Sequence, residues 1–182
     1  FQQAELKGVE YLGQVLAGLT LVGVAAAFPV LIPRTSYAVT VTDVFTFLLL
    51  AIAGPAAAVL AAAVDGAVSA SRASRRLAPR LSTPAVGAIA MFVSGHMQVE
   101  LAAALATAGL SPMAATFTSL SAVAPVFFVF SALPPNWLVS YKQRRRLDLL
   151  QWWVANSWVL ALYLLSAAIA AVLYVNSLQV GV

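Results

Sequence analysis

Long apolar runs dominate this chain and limit what it can fold into. The sequence is 62% hydrophobic and only 9% charged, whereas a soluble domain is about half apolar and about a quarter charged. A helix needs roughly 20 apolar residues to cross the hydrocarbon of a bilayer. The composition therefore predicts an integral membrane protein. It excludes a disordered chain, which would have fewer apolar and more charged residues.

Prolines, glycines and basic residues divide the apolar sequence into helical segments, because a proline lacks the N–H group and blocks helix continuation. The predicted segments are 9–31, 44–53, 56–70, 84–106, 113–132 and 149–175. No tandem repeat is visible. We therefore predict an all-α membrane protein, a bundle of six helical segments in a single integral membrane domain over residues 1–182.

The second segment is short and is followed by a Gly54-Pro55 break. About ten residues at 1.5 Å per residue are too few to cross a bilayer. An alternating β-branched stretch over 38–42 precedes the segment and predicts extended backbone, and Asp43 or Thr42 is predicted to cap the helix. Pro55 suits the first position of a new helix. We predict two helices; the alternative is one helix over 44–71 kinked at the proline.

Small residues recur every four positions after the break, at Ala58, Ala62, Gly66 and Ala70. Residues at this spacing lie on one face of a helix. In membranes, such a stripe of small side chains allows a second helix to approach closely. The stripe therefore predicts a close helix–helix contact.

Basic residues are concentrated in two loops, and the net charge is +4. Cytoplasmic loops of membrane proteins have an excess of Lys and Arg. Both loops are therefore predicted to be cytoplasmic, with the C-terminus outside; six crossings would place the N-terminus outside as well. The charge marks topology and contact with the lipid bilayer, not a nucleic-acid partner. The residues are Arg72, Arg75, Arg76, Arg80, Lys142 and 144–146.

Ionisable residues inside a membrane are costly and are candidates for function. His96 and Glu100 are four residues apart and share one helical face. They are candidates for ligand binding or proton sensing, and the alternative is a structural pair inside the bundle. Asp65 is a third candidate, and the alternative is that Arg72 neutralises it at the cytoplasmic end of its helix. Two ligands do not make a metal site, so neither a metal nor a cofactor is predicted.

Enzyme motifs are lacking in this sequence. It has no GxSxG elbow, no HExxH pair and no P-loop. It also contains no cysteine, which excludes thiol chemistry and disulfides. We therefore predict that the chain is not an enzyme.

The stretch 39–76 combines Asp43, an aromatic–apolar run, Gly54-Pro55, Asp65 and a basic end. This pattern resembles MASE-type multi-spanning membrane sensor domains of bacterial signalling proteins, which precede diguanylate cyclase, HD-GYP phosphodiesterase, phosphatase or kinase modules. The chain departs from the pattern at Ser131, where such domains usually have an asparagine. The resemblance implies a sensory or signal-transducing domain in the bacterial cytoplasmic (inner) membrane, attached to a cytoplasmic effector. A signal that changes the relative orientation of two attached effectors would require a homodimer.

Two other functions remain open. The same stretch resembles the substrate-binding S component of energy-coupling-factor transporters, which implies a small-molecule-binding subunit. A structural subunit of a larger membrane complex would need no site. Because the sequence begins at Phe1 without Met and is predicted to end outside, we expect it to be a fragment of a longer chain, with one more helix and a cytoplasmic module.

Overall fold

The computed structural model of the protein describes residues 2–31, 38–39, 41–144, 146 and 148–180. These residues form six α-helices and one antiparallel pair of two-residue strands, so the predicted all-α fold is confirmed. The elements are α1 (Gln2–Ala27), β1 (Val30–Leu31), β2 (Ala38–Val39), α2 (Thr42–Ala53), α3 (Pro55–Ala73), α4 (Leu77–Thr107), α5 (Pro112–Lys142) and α6 (Leu149–Val180).

Four of the described helices, α3 to α6, are long and apolar enough to cross a membrane. The apolar part of α1, Tyr11–Ala27, and the whole of α2 are shorter. Large apolar side chains cover much of the outer surface of the described helices, including Leu60, Ile89 and Leu165. Such a surface suits lipid contact, and the chain is a multi-pass membrane protein.

The predicted break at Gly54-Pro55 is confirmed, and it separates two antiparallel helices. Gly54 adopts φ 83° and ψ −176°, a backbone conformation that is almost exclusive to glycine. Pro55 is the first residue of α3. Asp43 and Asp65, each eleven residues from Gly54, are electrostatic neighbours. The chain therefore reverses at Gly54, and α2 and α3 form a helical hairpin.

Gly54→Ala is expected to lower the free energy of unfolding by about 2 kcal/mol, because an L-residue is strained in this conformation. A Cβ at Gly54 would meet nothing within 4 Å, so the cost comes from the backbone alone. Thermal or denaturant unfolding in detergent micelles measures it. Gly8→Ala is the control, since Gly8 lies in α1 with no atom within 4 Å of its added Cβ. Equal stability of the two variants would contradict the strained turn.

Five helices form a closed ring. Helices α2, α3, α4, α5 and α6 each pack against the next, α2 also packs against α6, and α1 packs outside against α2 and α3. The centre of the ring is filled over part of its length by a core built around Phe47, Leu50, Met91, Leu120 and Val123. The ring thus has a solid apolar half.

The predicted contact at the small-residue stripe is confirmed. Ala58, Ala62, Gly66 and Ala70 are buried, and α3 packs closely against α4. A Cβ on Gly66 would lie 2.7 Å from the Cα of Pro84, which leaves no room for a methyl group. On α4, a Cβ on Gly87 would lie 3.2 Å from the carbonyl oxygen of Ala62. The two helix backbones therefore touch at these glycines.

The predicted cap of α2 is wrong. The N-cap residue is Val41, which makes no side-chain capping hydrogen bond, and Thr42 and Asp43 are the first residues of the helix. Asp43 lies in the first turn, where a carboxylate favours the positive end of the helix dipole. Aspartate caps a different helix, α6, where Asp148 Oδ1 accepts hydrogen bonds from the backbone N–H groups of Leu150 and Gln151.

Helix α5 is longer than predicted. Its expected end at Ala132 is wrong, because the helix continues through Pro134 and Pro135 to Lys142. Proline is tolerated inside membrane helices when nearby groups adjust to the lost hydrogen bonds. The Asn136 side chain donates a hydrogen bond to the Ala132 carbonyl at 2.7 Å, which adds a contact beside the two prolines.

The connection between α1 and α2 contains the short strand pair. Ala38 and Val39 are extended, as expected, and pair with Leu31 and Val30. Thr40, Arg34 and Arg145 lie outside the described residues.

Helix α2 begins deep within the bundle. Asp43 lies opposite Asp65, but α3 continues for eight more residues to Ala73, which is about 12 Å of helix. The α3–α4 and α5–α6 connections, with their arginines and lysine, are at the same end, because Arg76 and Lys142 line one cavity. We call this the basic end. At the basic end, α2 therefore does not extend as far as α3.

Candidate functional site

A cavity of about 780 Å³ occupies the centre of the ring at the basic end. It lies above the apolar core, where the late start of α2 leaves space. Helices α2 to α6 all contribute to its lining. A partly apolar cavity with a few convergent polar groups is the usual form of a small-molecule site. The cavity is therefore the main candidate site of this protein.

Two carboxylates lie in the deep part of the cavity. Asp43 comes from the first turn of α2 and Asp65 from the middle of α3, and each lies in the electrostatic field of the other. The hydroxyls of Thr42 and Ser69 are within hydrogen-bonding reach of the Asp65 carboxylate. Its Oδ1 atom is nevertheless buried without a hydrogen-bond partner among the described residues. This oxygen can accept a hydrogen bond from a ligand.

Tyr163 completes the deep part, which we call the floor: Asp43, Asp65, Tyr163 and Ser131. The Tyr163 hydroxyl lies within reach of the Ser131 hydroxyl and in the field of both carboxylates. Ser131 in turn donates a hydrogen bond to the Phe128 carbonyl at 3.2 Å. Ser131 thus accepts from Tyr163, which leaves the tyrosine oxygen able to accept from a ligand.

Aromatic packing fixes the tyrosine ring. The Tyr163 and Phe127 rings are 5.1 Å apart at 87°, an edge-to-face arrangement that is favourable for aromatic pairs. Phe127 contacts Phe47 in the same way, at 5.7 Å and 79°. These contacts join the floor to the apolar core below it.

Two positive side chains line the other end of the cavity, which we call the mouth: Arg76 and Lys142. Both are exposed. Arg76 precedes α4, and Lys142 is the last residue of α5. Between the mouth and the floor the wall is largely apolar, with Ala62, Val86 and Leu138 among the lining residues. The cavity thus has two acidic side chains at its floor and two basic side chains at its mouth.

His96 and Glu100, the predicted candidate pair, lie elsewhere. Both are exposed on the surface of α4, so their interpretation as a structural pair inside the bundle is wrong. His96 Nδ1 is 2.8 Å from the Phe92 carbonyl oxygen, and the two rings are 4.3 Å apart. Glu100 follows Arg80 by 20 residues, about 30 Å of helix. The pair therefore lies far from the basic end.

Buried polar residues on the same helix belong to a helix contact. Gln98 Nε2 donates a hydrogen bond to Ser119 Oγ at 3.2 Å, and this joins α4 to α5. Ser94 lies four residues before Gln98 on the same helix. Its Oγ atom is buried without a hydrogen-bond partner among the described residues. Polar side chains of this type link helices in membranes.

The structure brings Asp65 together with residues that the sequence assigned to other roles. The sequence predicts a cap at Asp43 and topology signals at Arg76 and Lys142, and it predicts no role for Tyr163. One sequence signal points to the acid pair: Asp43 and Asp65 are equally distant from the Gly54-Pro55 break. A hairpin at that break places them opposite each other.

Comparison of the chain with protein-family models, with curated proteins and with solved structures finds no match. The described residues also contain no group of three His, Cys, Asp or Glu side chains able to hold a metal ion. The geometry of the cavity is therefore the basis for a functional proposal.

Proposed function

We propose that this chain is a membrane sensory domain that binds a small ligand in the basic-end cavity and has no catalytic activity of its own. The observation that supports this best is the cavity itself. It is large, is lined by five helices, and has two carboxylates at its floor. The resemblance of residues 39–76 to MASE-type sensor domains supports the same function.

The α2–α3 hairpin is the element that would respond to the ligand. It contributes both Asp43 and Asp65, so a ligand held by the two carboxylates acts directly on the hairpin. Gly66 lies one residue after Asp65 and touches the backbone of α4 at Pro84. Because packed helices have few alternative arrangements, a small shift at such a contact can alter helix packing as a whole. The signal would pass from the floor through Gly66 to α4.

A substrate-binding subunit of a transporter is the second candidate, since it would need the same cavity. The position of the mouth favours the sensor. It lies at the basic end, which the positive-inside rule assigns to the cytoplasm, whereas an importer must take its substrate from outside. A purely structural subunit would not need two carboxylates in a cavity of this size.

The test uses the native protein that contains this chain. In the MASE-type domains that residues 39–76 resemble, a signalling module follows the membrane domain, and we expect Ser131→Phe, which puts a ring into the cavity, to change the output of such a module at least fivefold. Ala161→Phe is the control, because Ala161 is exposed on α6. Equal output of wild type and Ser131→Phe, both monodisperse, would reject the sensor. Uptake of a solute into proteoliposomes would favour the transporter instead.

A further inference from the structure

Acidic side chains line the floor of the cavity and basic side chains line its mouth, and we propose that its ligand is a small zwitterion. The ammonium group would lie between Asp43 and Asp65, and the anionic group at Arg76 and Lys142. This inference rests on the proposal that the cavity is a ligand site, and it adds the chemical class of the ligand.

The floor favours a cation with several N–H donors. Two carboxylates lie there in each other's electrostatic field, and the basic side chains among the described lining residues, Arg76 and Lys142, are at the mouth. Buried charge is costly unless it is paired and hydrogen-bonded. An ammonium group has three donors and no acceptor. It can supply one hydrogen bond to the unpartnered Oδ1 of Asp65, one to Asp43 and one to the Tyr163 hydroxyl.

The mouth favours an anion. Arg76 and Lys142 come from different helix ends and line the same opening. A ligand with only a positive charge would be repelled on its way past them. A carboxylate or phosphate on the far end of the ligand would pair with both side chains in charge-assisted hydrogen bonds.

The walls of the cavity indicate how far apart the two charged groups of the ligand lie and what kind of group separates them. Helix α3 continues about 12 Å beyond the level of Asp65, and flexible Arg and Lys side chains can reach back toward the floor. The rest of the lining is mostly apolar, with Ala62, Val86 and Leu138 among its residues, and it also includes the hydroxyl groups of Ser82 and Thr83. An apolar spacer of several methylene groups, or a comparable ring, suits this part.

The experiment measures binding of 6-aminohexanoate to the purified chain in lipid nanodiscs, with hexylammonium and hexanoate as matched probes that each keep one charge. We expect 6-aminohexanoate to bind at least tenfold more tightly than either. Asp43→Asn combined with Asp65→Asn should weaken its binding tenfold or more, because charge-assisted hydrogen bonds at the floor are lost. Arg76→Gln combined with Lys142→Gln should weaken binding of 6-aminohexanoate severalfold. Binding to this double variant should also no longer depend on salt concentration. Arg72→Gln is the control, since Arg72 does not line the cavity.

The outcomes test the zwitterionic ligand and the sensory function separately. If hexylammonium binds as tightly as 6-aminohexanoate, the ligand is a simple cation and the zwitterion is rejected. The zwitterion is also rejected if 6-aminohexanoate still binds after both Asn substitutions. If no probe binds but Ser131→Phe still changes the output of the signalling module, the zwitterion is rejected and the sensor stands. If the zwitterion binds as expected but Ser131→Phe leaves the output unchanged, the ligand class stands and the sensor falls.

Discussion

Gly66→Ala is expected to lower the free energy of unfolding by about 2 kcal/mol. Its Cβ would lie 2.7 Å from the Cα and 2.9 Å from the N of Pro84. Both are backbone atoms, so no side chain can rotate away, and α3 and α4 must separate. The gain in helix propensity, about 1 kcal/mol for Ala over Gly, offsets only part of this cost. Unfolding of the purified protein in mixed micelles measures the change.

Gly23→Ala is the matched control. It adds the same methyl group within α1, where the nearest atom would be Val64 Cγ1 at 3.8 Å, an ordinary contact. We expect this variant to be as stable as the wild type or slightly more stable. If the two alanine variants had the same stability, the close approach of α3 and α4 at Gly66 would be wrong.

Phe47→Ala is expected to cost about 3 kcal/mol of unfolding free energy, the lower end of the range for a buried Phe. Phe47 is 0% exposed at the centre of the ring, where it packs edge-to-face on Phe127. In a membrane, lipid tails solvate a Phe as well as a protein core does, so helix association depends mainly on packing contacts. The variant loses those packing contacts and leaves a cavity. We therefore expect a large loss of stability, but one near the lower end of the range for a buried Phe.

Phe130→Ala tests whether burial causes this loss. Phe130 lies on α5 near Phe127 but is 43% exposed, and we expect its removal to cost less than 1 kcal/mol. Phe47→Ala should also weaken binding of 6-aminohexanoate, because Phe47 supports Phe127 and, through it, Tyr163 at the floor. A Phe47 variant with wild-type stability would show that the apolar core does not hold the ring together.

Local features of the sequence determined the elements of this protein. Apolar runs and prolines predicted six helical segments, and Gly54-Pro55 predicted the break between the second and the third. The stripe with Gly66 predicted the close contact of α3. These features are local, since they depend on hydrogen bonding, backbone conformation and side-chain size within a few turns of helix.

Sequence patterns failed where the outcome depended on distant neighbours. Helix α5 continues through Pro134 and Pro135 against the prediction, because nearby groups in a packed membrane helix can compensate for the hydrogen bonds lost at proline. His96 and Glu100 have a spacing that suits a site, but periodicity does not say which face of α4 is buried. In the structure it is the face of Gln98, and His96 and Glu100 are exposed.

The cavity was decided by tertiary structure alone. Asp43 and Asp65 are 22 residues apart in the sequence, and only the hairpin at Gly54 places their carboxylates opposite each other. Tyr163 joins them because α6 closes the ring against α2. The sequence by itself determined that α2 would be short. That a short α2 leaves a charged cavity at the basic end follows from packing five helices of unequal length around one centre.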